Sequence, residues 1–324
     1  MSDLPKSVKI NEEGPREGFQ IEKGPIATRR KIELIDALST TGLHQIQCVS
    51  FVNPKNVPGM ADAEEVTRGF TKRPGVKYTC LWLNDKGFLR AAKFKDRYDL
   101  TAKISLTASE KFLKRNQNRT LKENLEAQTG MIRLFKEAGV PIDGGSIMAA
   151  FGCNFEGDIP VSRILEQIAQ MHDLAAEHDI KIKWVSLADT MAWATPASIK
   201  RVVGAVRQKY PRLDLNLHLH DTRGMGIACA YAGLEMGVAS YDAAVAGLGG
   251  CPFAAHKSAA GNVCTEDLVF MCEEMGLATG VDTERLIEVA MLAEDIVGHP
   301  LPGSVKGGGS LKLMRARIRA AKSA

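Results

Sequence analysis

Residues 181–224 read KIKWVSLADTMAWATPASIKRVVGAVRQKYPRLDLNLHLHDTRG, and this stretch decides the fold. It opens on a β-type run, Lys181–Leu187, and passes into Ala197–Tyr210, where Ile199, Val202, Val203 and Val206 fall three and four apart. It then returns to a second β-type run, Asp214–His220. Strand, amphipathic helix and strand make one βαβ unit, the crossover that parallel strands require. Working outward, the same alternation recurs along the chain. Further β-type runs are Val8–Glu12, Gln45–Phe51, Lys77–Leu83, Leu100–Ser105, Ile142–Ala149 and Tyr241–Ala246, which bring the total to eight. Helical periodicity is clearest elsewhere in Thr28–Ser39, Leu121–Ala138, Val161–His178 and Thr265–Met275. Gly42, Gly139 and Gly237 supply the left-handed residue that ends a helix before the next strand. Eight βα units predict an α/β fold, a (β/α)₈ TIM barrel, with residues 1–280 as the catalytic barrel. Asp282–Val297 reads as one more helix, followed by a Pro- and Gly-rich segment, His299–Gly309, and a basic tail, Lys312–Lys322. Residues 281–324 are therefore expected to form a C-terminal helical extension.

Composition removes several classes of function. With 42 basic and 38 acidic residues, the net charge of +4 is too mild for a nucleic-acid footprint, whereas acidic small molecules remain open as partners. No stretch approaches 18 uninterrupted apolar residues and Met1–Asn11 lacks an apolar core, so neither a membrane association nor secretion is expected. The seven cysteines are odd in number, scattered and never in a CxxC pair, which argues against a disulfide framework or zinc knuckle. A reducing cytoplasm is the expected location.

In a barrel, chemistry sits at the C-terminal ends of the strands and in the loops that follow. Three segments there carry polar groups. In Asn216–Gly224, strand alternation puts His218 and His220 on one face, where two imidazoles can converge on an ion, or stand as structural barrel histidines. Residues 12–20, EEGPREGFQ, are read as a loop closing the first strand. Three carboxylates and a guanidinium in six positions suit a metal plus an anionic oxygen, with Glu17 as candidate ligand and Arg16 as electrostatic clamp; the alternative is a solvated charge run. Residues 246–253, AGLGGCPF, are a phosphate loop, a mobile lid or a tight turn, and Cys251 within them is a proton donor or an inert buried thiol.

Taken in order, GPREG (14–18), SFVNPKNVPGMAD (50–62), FGCNFEG (151–157), SLADT (186–190), HLHDTRG (218–224), GLGGCPF (247–253) and GNVCTEDLV (261–269) resemble the 3-hydroxy-3-methylglutaryl-CoA lyase family. That family lies within the barrel metallolyases that include the isopropylmalate and homocitrate synthases. The resemblance implies a metal held by Glu17, His218, His220 and Asn262, and this mixture of carboxylate, imidazole and amide oxygen suits Mg²⁺ or Mn²⁺. It also implies that Arg16 stabilises enolate charge, that Cys251 takes part in proton transfer, and that Asp189 lies near the metal shell or holds its partners in place. Where the family typically has aspartate this chain has Glu17, and where it typically has glutamate this chain has Gln47. The first change adds a methylene, about 1.5 Å of reach. The second removes a negative charge from the barrel mouth, which leaves the customary substrate open and puts Gln47 among the candidate catalytic residues.

The expected reaction is retro-aldol (Claisen-type) cleavage of a 3-hydroxyacyl-CoA to an acyl-CoA and a keto acid, with an acyl-CoA thioester as partner and a homodimer as assembly. A citramalyl-CoA or longer-chain homologue would serve the same chemistry. Lys55, Lys114 and Arg115 are candidate contacts for CoA. The rivals are a condensing synthase, whose usual regulatory domain has little room in the residues after the eighth unit, and a silent acyl-CoA-binding barrel. An amidohydrolase-type enzyme also uses HxH, but on its first strand.

Overall fold

The computed structural model describes residues 4–22, 24–250 and 261–323. Eight strands form one all-parallel sheet: β1 Lys9–Glu12, β2 Gln45–Ser50, β3 Lys77–Leu81, β4 Ala102–Thr107, β5 Ile142–Met148, β6 Trp184–Ala188, β7 Asp214–His218 and β8 Ser240–Ala243. Their order is β3-β2-β1-β8-β7-β6-β5-β4, so the sheet curls into a (β/α)₈ barrel whose seam falls between β3 and β4. Among the described residues no strand ladder joins these two. Asp99, in the segment leading to β4, is tied to β3: its N–H donates to the Tyr78 carbonyl at 2.8 Å and its carboxylate accepts from the Tyr78 N–H at 3.0 Å.

The crossover Pro196–Lys209 illustrates how sequence makes these units. Thr195 accepts from Ser198 N–H while the Ser198 hydroxyl accepts from Thr195 N–H, and Pro196 occupies the first turn, where no N–H is needed. Ile199, Val202, Val203 and Val206 then form a buried stripe against the sheet. Each side chain withdrawn from water this way contributes roughly 1.5–3 kcal/mol. On β2 the alternation is equally clear: Ile46 and Cys48 are buried, whereas Gln45 and Gln47 are half-buried.

Two differences from the sequence expectations have physical causes. Residues 12–20 are largely a helix, Gly14–Ile21, rather than a loop. Pro15 in its first turn and the Arg16 and Glu17 N–H groups directed at the Glu13 carbonyl start it, a signal hidden by the flanking glycines. The helix Gly226–Glu235 buries mainly small residues, including Gly226, Cys229, Ala230, Ala232 and Gly233, and so lacks the polar contrast that periodicity reading needs. Past β8, the helix Thr283–Val297 lays Leu286, Val289, Ala290 and Ala293 into the main core and ends at Gly298, φ 74°. A final helix, Leu311–Ser323, follows. Among the described residues no helix is long and apolar enough to cross a membrane.

Candidate metal centre

The site is built where β1 and β7 end. Glu13, Arg16 and Glu17 lie at or in the first turn of helix Gly14–Ile21 and are all buried. The Arg16 guanidinium is engaged on every side. Its Nη1 donates to Glu17 Oε1 at 2.6 Å, its Nη2 to Glu13 Oε2, and its Nε to Gln47 Oε1.

From β7, His218 turns Nδ1 toward Asp242 Oδ2 at 3.1 Å and Nε2 toward Glu17 Oε1 at 3.6 Å. His220 lies just past the strand end in a bridge to Asn262, and its ring stands 5.0 Å from that of His218 at 82°. The His220 Nδ1 meets the Asp189 carbonyl at 2.6 Å. A carbonyl only accepts, so Nδ1 carries a proton and Nε2 is the nitrogen that the neutral ring offers as a ligand. That Nε2 is buried without a partner, 3.9 Å from Glu17 Oε2.

Asn262 completes the group. Its Nδ2 donates to the Leu248 carbonyl at 3.0 Å and to Glu17 Oε2 at 2.5 Å, while its Oδ1 is buried and unpartnered. Gly249, at φ 88°, passes so close that a Cβ there would meet Glu17 Cβ at 2.6 Å and Asn262 Nδ2 at 2.7 Å. Only glycine fits this approach.

These contacts decide whether a cation suits the cluster. Glu17, His218 and His220 each offer a ligand atom within 4.8 Å of the others. Two further facts point the same way: the unpartnered atoms are both acceptors, and leaving a buried acceptor unsatisfied costs about 1–3 kcal/mol. A divalent ion held by Glu17, His218 and His220 would give the His220 nitrogen a partner, and Asn262, whose amide already bonds Glu17, would bring a further acceptor to it. The other ring nitrogens meet a carboxylate and a carbonyl, the arrangement that orients metal-binding histidines.

The electrostatics are those of a charged, dry cluster. Burial pushes the Glu17 carboxyl upward, but Arg16, His218 and His220 overcome it and hold Glu17 well below the usual range. Burial lowers His218, yet Glu17, Asp242 and Glu13 together carry it up to about 9. Burial raises Asp189 against the pull of His220 and the Ala194 and Trp193 N–H groups its carboxylate receives.

The structure thus brings together Arg16, Glu17, Gln47, His218, His220 and Asn262, with Asp189 behind His220. Cys251 lies outside the described residues. Lys114 and Arg115 line an open cavity of about 490 Å³ with Lys111, Asn154 and Phe155, and Lys55 is not part of it. Sequence reasoning missed Glu13 and Asp242 as members of the site. Asp242 had one available signal, a lone carboxylate inside the strand run SYDA; in a barrel such a charge must face a partner in the interior.

Fold and site together define a βα-barrel with a cluster of side chains able to hold a metal ion at the C-terminal ends of its strands. The chain belongs to the HMGL-like family, whose model matches residues 7–293. It is 40% identical over 285 residues to the mitochondrial hydroxymethylglutaryl-CoA lyase of Gallus gallus, covering 88% of this chain and 92% of that protein. The hydroxymethylglutaryl-CoA lyase of Pseudomonas aeruginosa superposes with a TM-score of 0.84 at 35% identity, over 97% of this chain and 99% of that one. An HMG-CoA lyase from Acinetobacter baumannii, solved with coenzyme A and 3-methylmalate, gives 0.84 at 35% identity, over 94% of this chain and 96% of that one.

Proposed function

We propose that this protein is a metal-dependent carbon–carbon lyase that cleaves 3-hydroxy-3-methylglutaryl-CoA, or a close 3-hydroxyacyl-CoA analogue, to an acyl-CoA and a keto acid. The observation that carries this is the convergence of the buried, unpartnered His220 Nε2 on Glu17 and His218, with Asn262 hydrogen-bonded to Glu17 and the Arg16 guanidinium beside them. The likeness to hydroxymethylglutaryl-CoA lyases over most of the chain supports the substrate class.

Glu17, His218, His220 and Asn262 would hold the ion, and their nitrogen and oxygen donors favour Mg²⁺ or Mn²⁺. When bound, such an ion lowers the pKa of a substrate hydroxyl and polarises a neighbouring oxygen. The Asp189 carbonyl orients His220 so that Nε2 faces Glu17, and the Asp242 carboxylate orients His218 in the same way. In the reaction the C3 hydroxyl loses its proton and the oxygen becomes a ketone as the C2–C3 bond breaks. The bonding pair stays on C2 as a thioester enolate, which Arg16 stabilises by charge. Cys251 is the proposed donor of the proton that C2 then takes up. For 3-hydroxy-3-methylglutaryl-CoA the products are acetyl-CoA and acetoacetate, with every atom accounted for.

Lys111, Lys114 and Arg115 around their cavity are proposed to receive the phosphates of CoA. A homodimer working in the cytoplasm, with residues 281–324 as a helical appendage to the barrel, completes the proposal.

The test is product analysis by mass spectrometry with a panel of 3-hydroxyacyl-CoA thioesters, with and without Mg²⁺ or Mn²⁺, using His220→Ala as control. Metal-dependent release of an acyl-CoA and a keto acid by the parent protein alone is the expected result. Metal binding without cleavage of any thioester overturns the proposal.

A further inference from the structure

Glu13 and Glu17 stand one helical turn apart at the start of helix Gly14–Ile21, with Arg16 between them. Like charges at this spacing repel, yet both carboxylates are buried. The pair holds because the guanidinium is divided: its Nη2 donates to Glu13 Oε2 and its Nη1 to Glu17 Oε1. The Glu13 side chain is available for this because it caps nothing in the helix it precedes. Its main chain does that work instead. The Glu13 N–H donates to the Ala243 carbonyl at 2.8 Å, and its own carbonyl accepts from the Arg16 and Glu17 N–H groups at 3.1 and 2.8 Å. The backbone is thus fixed to β8 on one side and to the helix on the other, and the carboxylate turns to Arg16.

The two carboxylates carry unequal burdens. Glu17 Oε2 accepts from Asn262 Nδ2, and its two oxygens face the Nε2 atoms of His218 and His220 at 3.6 and 3.9 Å. Whatever share of its charge goes to Arg16 is withheld from a cation held with those histidines. Glu13 has no such duties. The other ring it approaches, His218 Nδ1 at 3.6 Å, is already met by Asp242 at 3.1 Å. Glu13, His218 and Asp242 also place three ligand atoms within 4.8 Å of one another. Each of the three is already engaged by the protein, however, Glu13 by Arg16, His218 by Asp242 and Asp242 by Asn11, so they support the centre and do not form a second one.

We propose that Glu13 is a positioning residue: by taking one arm of the Arg16 guanidinium, it leaves the Glu17 carboxylate to the divalent ion. Without the Glu13 charge the guanidinium closes on Glu17 and competes with the ion for it. This rests on the metal-dependent lyase proposal for its ion, but it is tested by metal binding alone. Exchanging one hydrogen bond between charged groups is worth roughly 10- to 100-fold in affinity.

The experiment is calorimetric titration of the full chain with Mn²⁺ in a double-mutant cycle of Glu13→Gln and Arg16→Gln. With Arg16 in place, Glu13→Gln weakens Mn²⁺ binding about 10- to 100-fold. In the Arg16→Gln background the same substitution costs at least about tenfold less, because there is no guanidinium to redirect. A plain attraction between Glu13 and the ion would cost the same in both backgrounds. Glu13→Leu and Arg16→Met repeat the cycle if circular dichroism shows either amide variant misfolded. Unchanged affinity in Glu13→Gln, or equal costs in the two backgrounds, overturns the inference. If the parent binds Mn²⁺ and cleaves a 3-hydroxyacyl-CoA while the cycle shows no coupling, the lyase proposal stands and Glu13's role fails. If the coupling is present and no thioester is cleaved, the reverse holds. A parent protein that binds no Mn²⁺ overturns both.

Discussion

Asp242 and His218 face each other across 3.1 Å, carboxylate oxygen to Nδ1, on neighbouring barrel strands whose backbones are paired at these two residues. Asp242 is itself held by Asn11, whose Nδ2 donates to its other oxygen at 2.8 Å. The carboxylate therefore dictates which way the His218 ring points and which nitrogen faces Glu17. Asp242→Asn keeps the shape but loses the charge, and is expected to weaken Mn²⁺ binding by about 10- to 100-fold. Calorimetric titration reads this directly, with circular dichroism to show an intact fold. Unchanged affinity in a folded variant removes Asp242 from the site.

The same pair sets a pH dependence for metal uptake. Without an ion, His218 titrates at about 9, above its ordinary value, because burial is outweighed by Glu17, Asp242 and Glu13. A ligating imidazole must be neutral at the ligating nitrogen, so below that value each ion bound displaces a proton. Affinity then rises with pH, by up to about tenfold per unit between roughly pH 6 and 8. Titrations in buffers of different ionisation heat would show the released proton; a pH-independent affinity contradicts this assignment of charge.

Gly249→Ala tests the close approach of the Gly-rich segment. The added methyl would press on Glu17 and Asn262 at a residue with positive φ. Activity and metal affinity are expected to fall at least about tenfold, while the melting temperature shifts by only a few degrees. A variant with full metal affinity shows that Gly249 is not held where the geometry requires.

Two buried carboxyls below the site make stability depend on pH in the opposite sense from a surface ion pair. Burial raises Glu12 and Glu266 to about 7 each, despite hydrogen bonds from Thr265, Val245 and Gly14 to the first and from Ala246 to the second. A carboxyl raised on folding contributes stability that is fully present below its unfolded value and is lost as pH rises through the folded one. Stability should therefore decline from about pH 5 to about pH 8. Glu266→Gln removes one of the two charges and should recover on the order of 1–3 kcal/mol at about pH 8, and little at about pH 5. Urea unfolding of both proteins at the two pH values decides this, and equal pH slopes would refute it.

Much of the fold was legible because the barrel repeats one signal eight times. Ile199, Val202, Val203 and Val206 declare their helix by spacing alone, and the run from Asp214 to His218 declares its strand. The ends were less visible: β7 stops at His218, so His220 is placed by its bridge to Asn262 rather than by strand alternation. At the site, His218, His220, Glu17 and Arg16 stand out as polar groups at strand ends. Asp242 and Glu13 did not, because their importance lies in what they touch: His218 and Arg16 reach them from other parts of the chain or across a helical turn.

In the proposed reaction, bond cleavage leaves an enolate that is protonated on carbon within a metal-loaded site. The most direct measurement is cleavage of 3-hydroxy-3-methylglutaryl-CoA in D₂O with Mg²⁺ or Mn²⁺, with the products read by mass spectrometry. The expected products are acetoacetate and acetyl-CoA carrying one deuterium in its methyl group, with neither formed when the divalent ion is chelated. Acetyl-CoA formed at full rate in the presence of chelator, or CoA released by simple thioester hydrolysis, would contradict it.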